Sequence, residues 1–165
     1  SWTSEAPRRM DHPLALLKNV PIFADLTANE LAMMSGLVTE ETHKARDVIF
    51  REGEPGDVMY LVAEGQVAIT KKAGKARKGL ASLGPGAAFG EFSLFDGGAR
   101  SASAVATADT RLLALKGSDL HTIFAKNPVL GQKILLRVIR ELTQRFRKTN
   151  QDVADWVIWA TPQQS

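Results

Sequence analysis

Three textures of hydrophobic and polar positions follow one another along the chain. From Pro13 to about Val38, apolar residues recur at helical spacing: Leu14, Leu17, Ile22 and Phe23, then Leu31, Met33, Met34 and Leu37. Thr27-Ala-Asn-Glu30 has the form in which a hydroxyl and a carboxylate cap each other's backbone N–H groups, so a helix is predicted to start there. This stretch predicts two short helices joined at Pro21. Residues 1–12 are polar and aperiodic, and are expected to be a disordered or flexible N-terminus. Between Arg46 and Lys116 the texture changes to short runs rich in Val, Ile, Leu and Phe: Val48–Phe50, Val58–Val62, Val67–Thr70, Leu80–Leu83, Ala102–Ala106 and Arg111–Leu115. Gly and Pro punctuate them closely, which predicts an antiparallel sandwich or barrel rather than a parallel sheet with crossover helices. After that, Gly117-Ser118 is expected to cap a short helix, and Asn127-Pro128 to open a long one. Along the latter, Leu130, Ile134, Leu135, Val138, Ile139, Leu142 and Phe146 recur at steps of three and four, a stripe wide for a lone surface helix. The predicted fold is α+β: an antiparallel, jelly-roll-like β-roll (46–116) flanked by N-terminal helices and a long C-terminal helix (128–150). Together these form one domain (13–150), followed by a C-terminal tail (151–165).

Composition narrows the function classes. The 165 residues are 44% hydrophobic and 24% charged, ordinary for one soluble globular domain. No cysteine is present, and His12, His43 and His121 are far apart, so neither a metal site nor a cofactor is expected. The sequence has no G-x-S-x-G elbow and no phosphate-binding P-loop, which argues against an enzyme. Its formal charge of +3 is too small to announce a nucleic-acid binder. Apolar runs are too short to span a membrane, and Arg8 and Arg9 precede no signal-like segment, so the cytoplasm is the expected location. Lys71, Lys72, Lys75, Arg77 and Lys78 read as a solvated hairpin tip, and the basic end of the long helix as a complement to its dipole. Trp156 and Trp159 form an apolar patch suited to core packing or a partner.

The densest chemistry lies in Phe89-Gly90-Glu91-Phe92-Ser93-Leu94-Phe95-Asp96-Gly97-Gly98-Ala99-Arg100-Ser101-Ala102. Glycines and small residues let backbone N–H groups approach an anion. The Glu91–Phe95 stretch suits one buried helical turn. Arg100 carries a planar guanidinium matched to phosphate, and Glu91 can accept from sugar hydroxyls. Such a set describes a pocket for a ribose phosphate. The same residues admit a purely structural reading, in which Glu91 pairs with Arg100 across a turn and Gly97-Gly98 forms a hairpin.

This segment resembles the phosphate-binding cassette of the cyclic nucleotide-binding domain family, F-G-E-[LIVM]-[AGS]-L followed by R-[STA]-A. Val48-Ile49-Phe50-Arg51-Glu52-Gly53-Glu54-Pro55-Gly56-Asp57, Met59-Tyr60-Leu61-Val62, Glu64-Gly65 and Leu83-Gly84-Pro85-Gly86 are similar to further family motifs, in the same order. The likeness covers about residues 14–150 and is greatest to catabolite-activator members, without their DNA-binding domain. It implies that Glu91 accepts from the ribose 2′-hydroxyl, that Arg100 neutralises the cyclic phosphate, and that Gly90 and Ser101 complete the cradle. Phe89, Phe92, Ser93 and Ala102 belong to the same implied site. The sequence departs from the pattern at Ala87, Ala88 and Ala99.

The family's base-contacting pair on the long helix falls on Arg145 and Phe146, so that contact is not preserved; Arg145 is expected to stack on the purine instead, with Thr149 or Asn150 near the base edge. The resemblance therefore implies a sensor for a cyclic mononucleotide, cAMP ahead of cGMP, that signals by moving its C-terminal helix. It also implies a homodimer through Leu135, Val138, Ile139 and Leu142 and an unknown downstream protein effector. DNA binding by this chain is not expected, since about 15 residues follow Asn150, nor is membrane contact. Alternatives are a degenerate fold serving as a protein-interaction scaffold, a regulatory fragment of a larger channel or enzyme, and a cyclic di-GMP receptor using Arg145, Arg147 and Lys148.

Overall fold

A computed structural model describes residues 13–91 and 93–160, with side chains described through residue 154. The expected N-terminal segment 1–12, Phe92, and the side chains of Trp156 and Trp159 lie outside the described residues.

Period-two alternation shapes the middle of the molecule. Among the described residues, eight strands form two four-stranded antiparallel sheets, ordered β1-β8-β3-β6 and β2-β7-β4-β5. They are β1 (Thr39–His43), β2 (Val48–Phe50), β3 (Val58–Glu64), β4 (Val67–Ala73), β5 (Ala76–Leu83), β6 (Ala88–Phe89), β7 (Ser103–Ala106) and β8 (Thr110–Lys116). Strand β3 is apolar on both faces because both are covered. Tyr60 and Val62 join Val67, Phe89, Leu112 and Ala114 between the sheets, whereas Met59 and Leu61 join Leu113 and Leu115 under the helices. The β-roll of the sequence reading is present, with helices packed on the outer face of its first sheet.

Those helices are α1 (Pro13–Lys18), α2 (Ala28–Ser35), α3 (Ser93–Asp96), α4 (Gly117–Lys126) and α5 (Pro128–Ala160), with a 3-10 turn at Pro21–Phe23. The capping box forms as expected: the Glu30 N–H donates to Thr27 Oγ1 at 3.2 Å and the Thr27 N–H to Glu30 Oε1 at 3.0 Å. Lys133 on α5 donates to the same Glu30 carboxylate at 2.6 Å, tying α2 to α5. The Asn127 side chain accepts from the Leu130 N–H at 3.2 Å, which starts α5 where the Asn-Pro pair predicted.

Four expectations are corrected. Helix α5 continues to Ala160 instead of giving way to a tail after residue 150. Gly117-Ser118 does not cap α4; the N-cap is Lys116, whose side chain makes no capping bond. Strand β1 was not foreseen, because Thr-Glu-Glu-Thr-His has no apolar alternation; as an edge strand it is held by β8, and Glu40 reaches Arg111 at 3.3 Å. Val138 does not belong to a free dimerisation stripe. With Leu130 and Ile134 it is buried in the helical core, while Leu135, Ile139, Leu142 and Phe146 are exposed.

Candidate functional site

Three aromatic rings close one end of the roll interior. Phe89 stacks on Tyr60 with centroids 5.3 Å apart, and Phe50 lies 5.9 Å from Phe89 and 6.1 Å from Tyr60. Burial raises the Tyr60 pKa, so its hydroxyl stays neutral. Directly after Phe89 the chain turns at Gly90, whose φ of +78° is a conformation that costs glycine nothing. A Cβ there would lie 2.7 Å from Arg100 Nη1 and 3.1 Å from the Val58 carbonyl oxygen.

Arg100 is only 6% exposed. Its Nη2 donates to the Val58 carbonyl at 2.8 Å, and its Nη1 to Ser93 Oγ at 3.1 Å and to the Gly90 carbonyl at 3.4 Å. The guanidinium carbon sits 4.1 Å over the Phe50 ring. Nε is buried without an acceptor. Gly56 lies so close that a methyl group there would collide with the guanidinium. No carboxylate among the described residues forms an ion pair with Arg100. Burial lowers its pKa, an effect opposed by the more distant Tyr60, Asp57 and Glu54. Since a guanidinium does not deprotonate in proteins, the outcome is a fixed positive charge in a half-dry wall, held by neutral oxygens. The backbone is anchored too: the Arg100 N–H donates to the Glu54 carbonyl and the Gly53 N–H to the Arg100 carbonyl, both at 2.8 Å.

Glu91 points the other way, its Oε1 3.5 Å from Arg145 Nη2 on α5. The structural reading that paired Glu91 with Arg100 is therefore corrected. Each takes other partners, because Arg100 is drawn under the turn by two carbonyls and Ser93. Nor do Gly97 and Gly98 make a hairpin; they link α3 to β7, and the Gly98 N–H donates to Asp96 Oδ1 at 2.8 Å.

A cleft of about 250 Å³ opens between the roll and α5. Phe89, Gly90, Glu91, Ser93, Arg100, Ser101, Ala102 and Arg145 line it, so eight of the nine sequence-predicted site residues meet there. The ninth, Phe92, lies outside the described residues. Thr149 and Asn150 do not line it, and the Thr149 hydroxyl donates to the Arg145 carbonyl instead. The cleft also includes Phe50 and Ile69, which sequence reasoning took for strand core. Phe50 directly precedes the Arg51-Glu52-Gly53 motif, a signal that could have marked it. The roles of Gly56 and of the Val58 carbonyl had no sequence signal, since they arise from backbone proximity. A second cleft of about 270 Å³, between Pro21, Ala87 and Val138, backs onto the first across Glu91 and Arg145. Chemically, the first cleft offers one fixed cation, an exposed serine, glycine-rich backbone and an acid held to a neighbouring helix.

Known proteins are similar to this chain in sequence and fold. The family model described as "Cyclic nucleotide-binding domain" matches residues 40–127. A CRP-like cAMP-activated global transcriptional regulator of Mycobacterium tuberculosis is 30% identical over 148 residues, 89% of this chain and 64% of the regulator. A cyclic nucleotide-gated potassium channel of Mesorhizobium japonicum is 34% identical over 134 residues, 81% of this chain and 33% of the channel. The chain thus spans less than two thirds of either relative. Among solved structures, the N-terminal domain of a transcriptional regulator from Streptomyces coelicolor superposes with a TM-score of 0.74 at 35% identity, covering 84% of this chain and 94% of that one.

Proposed function

The chain belongs to the cyclic nucleotide-binding domain family, and from that premise we propose that it is a regulatory sensor binding one cyclic mononucleotide, cAMP ahead of cGMP. The observation that carries this reading is Arg100: a buried guanidinium at the cleft wall, satisfied by neutral oxygens, with Nε unused and no ion pair to a carboxylate among the described residues. A structural arginine is ordinarily buried with an acid to offset it. Arg100 instead suits a mobile anion that arrives and leaves.

In this reading the cyclic phosphate sits against Arg100 and the Ser101 hydroxyl, with the Gly90 and Ser101 N–H groups completing its cradle. Glu91 accepts from the ribose 2′-hydroxyl, and Phe89 and Ala102 close the apolar side of the sugar. The Glu91–Arg145 contact gives the sugar subsite a direct connection to α5, and the Arg145 guanidinium is near enough to cover a purine. Preference for cAMP is supported by the mycobacterial relative, which is described as cAMP-activated. The signal is a shift in the position of α5, by as much as the ligand's differential affinity for the two arrangements. The exposed apolar side chains of α5 support homodimerisation, and a downstream protein reads the result. The role is regulatory and non-catalytic, with no resident cofactor, and we place it in the cytoplasm; among the described residues no helix is long and apolar enough to cross a membrane.

Titration calorimetry with cAMP, cGMP and cyclic di-GMP, beside Arg100→Ala, tests the reading. Binding of one mononucleotide at micromolar or tighter affinity, lost in the variant, is expected. No binding of any of the three overturns it.

A further inference from the structure

The β4–β5 hairpin carries a concentration of charge that the nucleotide site does not use. Between Glu64 and Glu91 the chain has no acidic residue and five basic ones, all within residues 71–78. Residues 71–80 are exposed without exception. The formal charge of +3 hides this segregation: outside the hairpin, 16 basic residues face 18 acidic ones, so the hairpin carries more than the whole net charge.

Its geometry is unusual for a solvated tip. Strand β7 pairs with β4 only over Val67–Thr70, so the paired residues Lys71–Ala73 and Ala76–Lys78 project past the sheet as a free two-stranded ribbon. Gly74, at φ +64°, takes the first place of its two-residue turn. Lys71 lies directly opposite Lys78, and Lys72 directly opposite Arg77. Like charges facing each other across a strand pair are unfavourable, and none of the five cations has an ion-pair partner among the described residues. Glu52 lies alongside, but its carboxylate accepts from the backbone N–H of Lys72 at 3.0 Å. Successive cross-strand pairs point to opposite faces, so one pair occupies each face and Lys75 the tip.

Three kinds of anionic partner can be compared. A lipid surface is flat: it reaches one face and the tip, and this tip has only Ala73, Gly74 and Ala76 to offer the acyl region. An acidic protein needs anchors for a packed interface, yet the ribbon bears no aromatic or large apolar side chain, and lysine is depleted in such interfaces. A nucleic acid presents phosphates on both walls of a groove wide enough to admit a two-stranded β-ribbon. Only this partner meets both charged faces and the tip together. We infer that the Lys71–Lys78 ribbon is a sequence-independent binding surface for the phosphate backbone of nucleic acid, acting beside the nucleotide site. This reverses the expectation drawn from net charge, which averaged over a segregated distribution. Base readout is not part of the inference.

Fluorescence anisotropy of the 165-residue chain with a labelled random-sequence 20-base-pair duplex tests it. Four or five phosphate contacts predict an affinity loss of about 150- to 500-fold between 50 and 200 mM salt. Lys72→Glu with Arg77→Glu should abolish binding while the circular dichroism spectrum, Tm and nucleotide affinity stay unchanged. Each single Lys→Ala on the ribbon should lower the salt slope by about one contact. Arg147→Glu with Lys148→Glu should leave duplex binding intact. Several results overturn the proposal: no duplex binding at 50 mM salt, loss with the α5 pair instead of the ribbon pair, equal binding to polyglutamate, or binding to phosphatidylserine vesicles in place of the duplex. Because the readout uses no cyclic nucleotide, it stands or falls apart from the sensor reading.

Discussion

Arg100 concentrates the residue-scale argument. Hydrogen bonds to a charged group are worth about 1.5–3 kcal/mol, so Arg100→Ala should weaken nucleotide binding about 10- to 100-fold in calorimetry. Arg100→Lys should recover little of it, because a single ammonium cannot reach Ser93 Oγ and the Val58 carbonyl from beneath Phe50 as the fork does. A second prediction concerns Gly56. A methyl group there overlaps the guanidinium, so Gly56→Ala should lower stability by about 1–3 kcal/mol and weaken nucleotide binding as well, read by denaturant melts and titration. Arg100, Glu91 and Ser101 were legible in the sequence because their types and spacing form a local motif. Gly56 as a steric partner, and the Val58 carbonyl as an acceptor, were not: Val58 is 42 residues from Arg100, and any residue has a carbonyl.

At the scale of elements, the junction of α2 with α5 is the most informative. The Lys133 ammonium, then the Thr27 N–H, hold the Glu30 carboxyl below the ordinary value of 4.5, against the desolvation that opposes them. A carboxyl whose folded-state pKa is depressed contributes stability that is complete above its unfolded value and is lost as pH falls through the folded one. Acidification below about pH 4.5 should therefore loosen α5 from α2, and Lys133→Met should flatten that part of the stability–pH profile. Thr27→Ala should cost about 1 kcal/mol in urea melts. The capping box could be read from four residues; its tie to α5 could not, since Lys133 lies 103 residues from Glu30. Edge strand β1 and the first half of β5, Ala76–Gly79, show the opposite limit. Their polar residues carry no alternation, and pairing with β8 and β4 alone makes them strands.

For the whole molecule, helix α5 has two faces with different destinies. Leu130, Ile134 and Val138 complete the helical core, and Leu135, Ile139, Leu142 and Phe146 remain outside it. If the outer face is a dimer seam, Ile139→Glu should give a monomer by light scattering and remove the concentration dependence of Tm, whereas Ile134→Ala should cost about 2–5 kcal/mol within the fold itself. A wild-type monomer at micromolar concentration, with and without nucleotide, would remove the dimer from the reading. The sequence by itself determined the α+β order, the antiparallel roll, the start of α2 and of α5, and the cassette, because each depends on periodicity or on residues close along the chain. Tertiary structure alone decided which stripe residues of α5 are core, that Glu91 faces Arg145 while Arg100 faces carbonyls, and that the basic run stands clear of the sheet. Each of these depends on distances between segments far apart in sequence, which only packing sets.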